Sequence, residues 1–66
     1  MNVIFELTVL GDVARMAAVD EATGTEAVVV GSARTARSDL EALALRKLEK
    51  LLAEKPAALD RRGKLV

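Results

Sequence analysis

The chain opens on an alternation in which Val3, Phe5, Leu7 and Val9 are apolar and Asn2, Glu6 and Thr8 are polar, with Ile4 the exception on the second side. A period of two puts every other side chain on one side of a strand, so the pattern predicts a first strand with one strongly apolar face, ending at Leu10. Gly11-Asp12 follows as a tight reversal into a second strand over Val13 to Asp20. There Val13, Ala17 and Val19 oppose Ala14, Met16 and Ala18, so both faces are mildly apolar and only Arg15 interrupts. The segment Asp20-Glu21-Ala22-Thr23-Gly24-Thr25 has hairpin-loop chemistry, because Asp20 can accept bonds from nearby backbone N–H groups and Gly24 can take a positive φ. A third strand is expected over Glu26 to Val30, closed by Gly31. Its Val28-Val29-Val30 run suits burial on both sides better than an edge position.

After Gly31 the period changes. Ser38-Asp39-Leu40-Glu41 reads as a capping box, with the Ser38 hydroxyl accepting the Glu41 N–H and the Glu41 carboxylate returning to the N–H of Ser38. A helix is expected from there until Pro56 disfavours helical geometry at Lys55. At 100° per residue, Leu43, Leu40, Leu51, Ala44, Leu48, Leu52 and Leu45 fall in that order across about 200°, about twice an ordinary amphipathic stripe. One small sheet is not expected to cover such an arc, so a second surface should. The fold class expected is α+β, a three-stranded antiparallel β-meander followed by one C-terminal α-helix packed on the sheet. Residues 1–56 form one β-β-β-α domain and 57–66 a mobile tail.

Sixty-six residues make one domain with a thin stability margin, and with no Cys and no His the chain cannot use a disulfide or an imidazole-held metal to widen it. Association is the remaining route. The second, partly apolar face of the first strand, where Ile4 and Leu10 sit with Glu6 and Thr8, points the same way. The expected contact is a homodimer through Leu40, Leu43, Leu48, Leu51 and Leu52, with Phe5, Leu7 and Val30 beneath. A different protein partner would satisfy the same arc. The N-terminus lacks the basic start and apolar run of a secretory signal, and no apolar stretch approaches the roughly 20 residues of a bilayer span, so a cytoplasmic location is expected.

The net charge of zero hides an asymmetry: residues 1–33 carry five acids and one base, a balance of −4, and residues 34–66 carry nine bases and five acids, a balance of +4. The expected consequence is attraction between an acidic sheet and a basic helix, within or between subunits. The alternative is a nucleic-acid accessory protein whose basic half contacts phosphates through Arg34, Arg37, Arg46, Lys50, Arg61 and Arg62. Arg46, Lys50 and Lys47 form a basic edge beside the apolar arc. Phe5 is the one aromatic available for base stacking, and the sequence pI is near 6.2, well below that of a basic nucleic-acid module.

Candidate chemistry is thin. With no His, Cys or Tyr, no nucleophile has an obvious base beside it, and no catalytic residue, cofactor or metal is expected. Asp20, Glu21 and Glu26 flank one loop, yet three carboxylates at that spacing do not make an EF-hand loop and read as a solvated turn. Gly31 to Ser38 joins a strand to a helix start and carries Arg34 and Arg37 with several hydroxyls, so a phosphate could rest there. Asp39 and Glu41 in the first turn compete for those amides and favour a capped connection.

At Phe5-Glu6, Ala18-Val19-Asp20, Ala22-Thr23-Gly24-Thr25-Glu26, Val30-Gly31 and Leu43-Ala44-Leu45-Arg46-Lys47-Leu48-Glu49, the chain resembles a family of short bacterial proteins of unknown function. The likeness covers about residues 3–54. It implies an uncharacterised stand-alone domain and supplies no catalytic residue. The element order also resembles the small sheet modules at the N-termini of tyrosine recombinases. Here, however, the strands present Glu6, Asp20, Glu21 and Glu26 where a DNA reader needs cations.

Overall fold

The structure, a computed structural model, describes residues 2–58, with side chains through Glu54. Its elements are β1 (Val3–Leu10), β2 (Val13–Asp20), β3 (Glu26–Ser32) and α1 (Arg37–Ala58). The strands form one antiparallel sheet in the order β1-β2-β3, and α1 packs on it chiefly through β2 and β3. This is the expected α+β meander with its helix.

Two turns fix the register. Gly11 has φ 59° and among the described residues only glycines take a positive φ, so Gly11-Asp12 makes the two-residue reversal with glycine first that matches the twist of a hairpin. It sets Leu10 opposite Val13 and, further on, Leu7 opposite Met16 and Phe5 opposite Ala18. At the second turn Gly24 has φ 74°, its N–H donates to the Asp20 carbonyl at 2.8 Å, and the Thr23 hydroxyl donates to the Asp20 carboxylate at 2.8 Å. A buried Asp20 therefore ends β2 with its carboxylate satisfied by the loop it begins.

The register divides the sheet into two faces. Val3, Phe5, Leu7 and Val9 of β1 share the helix side with Ala14, Met16 and Ala18 of β2 and Ala27, Val29 and Gly31 of β3. The core is small: Ala14, Met16, Ala18 and Ala27 from the sheet and Leu40, Ala44 and Leu48 from α1. Met16 and Leu48 are the largest side chains wholly enclosed. Alanines on the sheet let the helix leucines approach closely, and Gly31 carries this furthest, since a Cβ there would lie 3.2 Å from Leu40 Cδ2.

Several expectations are corrected. β3 runs through Gly31 to Ser32 because Gly31 lies flat beneath Leu40 and keeps its pairing with Ala14. β3 is an edge strand, and Val30 is 66% exposed on the side away from α1. Val30 thus does not lie beneath the helix: its register partner is Arg15, and strand parity sends both outward. The capping box does not form. α1 starts at Arg37, the Ala36 carbonyl accepts the N–H groups of Asp39 and Leu40, and Glu41 pairs with Arg37 at 3.0 Å. Ser38 falls inside the first turn, past the position where its hydroxyl could cap. Nor does Pro56 end the helix, which reaches Ala58. Proline removes one ladder bond near the end, and Ala57 and Ala58 beyond it are strong helix formers. The remainder of the expected tail, from residue 59, lies outside the described residues.

Candidate interaction surface

The helix arc is covered more fully than its width suggests. Leu40, Ala44 and Leu48 are buried, Leu45, Leu51 and Leu52 are half-buried, and Leu43 is 49% exposed. Of the five leucines expected at a dimer contact, Leu40 and Leu48 belong to the core of a single chain, and Leu51 and Leu52 pack against it. Leu43 alone of the five is open to solvent. The sheet covers most of the arc because alanine and glycine on β2 and β3 let α1 sink in.

What the sheet gains there it loses at β1. With α1 seated over β2 and β3, the helix side of β1 is under-covered: Val3, Phe5 and Leu7 are half-buried and Val9 is 53% exposed. Leu45 and Leu52 line the helix flank nearest this strip, since Lys47 marks the opposite flank at β3. On the other side of the sheet, Ile4 and Leu10 of β1, Val13 of β2 and Val30 of β3 are exposed around Glu6, Thr8 and Arg15. Ala17 is buried on that face too, sheltered between Glu6 and Val28.

The two edges differ in their free hydrogen-bonding groups. The Glu21 N–H donates to the Asn2 carbonyl at 3.0 Å, so by the antiparallel alternation the even residues of β1 face β2, and the N–H and C=O groups of Val3, Phe5, Leu7 and Val9 point away from the sheet. On β3 the pairings of Asp20 with Thr25 and of Asp12 with Ala33 leave Glu26, Val28, Val30 and Ser32 facing out. There Lys47 folds over the edge and its Nζ donates to the Val28 carbonyl at 2.8 Å. One edge is guarded by an ammonium group and the other has no lysine, proline or bulge. The basic edge expected beside the apolar arc included Lys47, yet its angle falls between those of Leu43 and Leu40, inside the arc, and that was the missed signal. A cation there must reach past the sheet edge to find polar partners.

The candidate phosphate contacts do not converge on one site. Arg34 is exposed in the connection between β3 and α1, Arg37 is paired with Glu41, and Arg46 and Lys50 lie one turn apart on the solvent side of α1. Arg61 and Arg62 lie outside the described residues. The acidic sheet and basic helix share no ion pair among the described residues, where the single pair is Arg37 with Glu41 inside the helix. Asn2, Asp20, Glu21 and Ala22 line an open depression at the end of the sheet. No three acidic side chains among the described residues gather as a metal site would require, and no described helix is long and apolar enough to cross a membrane.

No curated protein and no solved structure matches the chain. Residues 1–55 match the family described as domain of unknown function (DUF6898), a span that takes in the three strands and nearly all of the helix. An α+β unit built on this sheet and helix, with its bare β1 strip inside the matched span, belongs to that family.

Proposed function

We propose that this domain is a non-catalytic interaction and assembly module that associates with a second copy of itself. The observation that carries the reading is the off-centre seat of α1, which leaves the helix side of β1 partly bare in a chain with little core to spare. A domain this small buries only about 60% of its unfolded surface, so a shared interface adds stability that a lone copy lacks. The exposed Ile4, Leu10, Val13 and Val30 on the other face extend the apolar surface available to partners. With no His, Cys or Tyr in the sequence and no cluster of acids among the described residues, its work is binding.

Sedimentation equilibrium of the full chain over a wide concentration range tests this. The expected result is a mass near twice 7.0 kDa that falls toward one chain on dilution. A mass of one chain at every concentration, with cooperative unfolding, would reject it. Titration with random oligonucleotides at low and high salt provides the contrast, since phosphate binding weakens steeply with salt and apolar association does not.

A further inference from the structure

Resting on the self-association just proposed, we infer that the contact is made by β1 pairing antiparallel with β1 of a second copy, in the register that sets Leu7 opposite the partner's Leu7. The outcome is one continuous six-stranded sheet with both helices on the same face.

Three features lead there. First, the outward N–H and C=O groups of Phe5, Leu7 and Val9 form a row that is complementary to itself, because an antiparallel pair about a two-fold axis exchanges donors and acceptors equally. Second, the guarded β3 edge closes the assembly at two copies. Head-to-tail pairing of β1 with β3 would propagate into a fibre, and Lys47 already occupies the Val28 carbonyl that such pairing needs. Third, charge and apolar matching choose the register. Pairing centred on Glu6 would oppose two carboxylates, and centring on Phe5 would set Glu6 against Ile4. Centring on Leu7 places Ile4 beside the partner's Leu10, Phe5 beside its Val9 and Glu6 beside its Thr8.

That register also settles the charges. Arg15 is the neighbour of Thr8 on β2, so the row runs from Glu6 across the partner's Thr8 to the partner's Arg15, about 10 Å at two strand spacings and within reach of the two long side chains. Among the described residues, neither Glu6 nor Arg15 has an ion pair. The two-fold axis makes the same match twice.

The test uses the full chain in three charge states, with circular dichroism confirming that each variant is folded. Glu6→Arg alone sets two cations against each other at each contact, and Arg15→Glu alone sets two anions. Each should weaken the dimer at least about tenfold. An equal mixture of the two variants recreates opposite charges only between chains, so dimer should return in the mixture and not in either variant alone. Val9→Pro removes an N–H that points away from β2, and it should lower the dimer fraction while the fold stays intact. If the wild-type chain sediments as one copy at every concentration, self-association itself is overturned. A wild-type dimer whose mass is untouched by the charge variants or by Val9→Pro, or variants that weaken it without rescue in the mixture, would leave self-association standing and overturn the β1 pairing.

Discussion

Two edges of one three-stranded sheet have been treated differently by the same helix. At β3, α1 lies close, Leu40 settles on Gly31, and Lys47 reaches over to the Val28 carbonyl. At β1, Val3, Phe5 and Leu7 on the helix side are half-covered, Val9 is exposed, and the outward backbone groups have no partner among the described residues. The difference teaches that the width of the helix arc matters less than where the sheet lets the helix sit. Small residues on β2 and β3 draw it to one side, and the apolar surface left over appears on a strand and not on the helix.

The comparison can be broken first by removing a side chain from its covered half. Leu48→Ala takes a wholly enclosed leucine from beneath the helix and should cost about 2–5 kcal/mol in denaturant unfolding. Leu7→Ala removes the same atoms from the half-covered strip and should cost about 1–2 kcal/mol when unfolding is measured at concentrations where one copy prevails. Equal losses at the two positions would mean that the halves are packed alike.

Close approach at β3 is probed by Gly31→Val. Added methyl groups would press on Leu40 Cδ2, 3.2 Å from where a Cβ would sit, and should cost about 1–3 kcal/mol by thermal unfolding. A neutral result would show that α1 can lift from β3 at no expense. The smallest effect on stability is expected at the guard itself: Lys47→Ala lies on the surface and should change unfolding by no more than about 0.5 kcal/mol. Its effect should appear instead in solution mass, as species larger than two copies once the β3 edge is free to pair.

Much of the fold could be read from residue order. Alternation in Val3 to Val9, the glycines at 11 and 24, and the leucine spacing of α1 each act locally, and each is found where local rules put it. The misreadings share a cause in tertiary packing. Gly31 looks like a strand breaker until Leu40 is placed above it. Val28-Val29-Val30 looks buried until the sheet is found to end at β3. Ser38 looks like a cap until the Ala36 carbonyl takes the first helical bonds and Glu41 turns to Arg37.

The candidate surface was legible only in part. Leucines at 40, 43, 48, 51 and 52 signal a need for cover, but their spacing cannot say how much of it the chain's own sheet supplies. Leu43 alone remains open among them. Conversely, Val3, Phe5, Leu7 and Val9 read as ordinary core positions, and nothing in their alternation reveals that α1 sits to one side. The sequence of Lys47 between arc positions was the one local clue to the guarded edge.

Residue-resolved amide exchange bears most directly on the bare edge. The N–H groups of Glu6 and Thr8 face β2 and should be protected at every concentration. Those of Phe5, Leu7 and Val9 face away, and they should become protected as the chain is concentrated and lose that protection on dilution. If these three exchanged freely at high concentration while Glu6 and Thr8 stayed protected, the edge would be unpaired and the proposed assembly through β1 would be wrong.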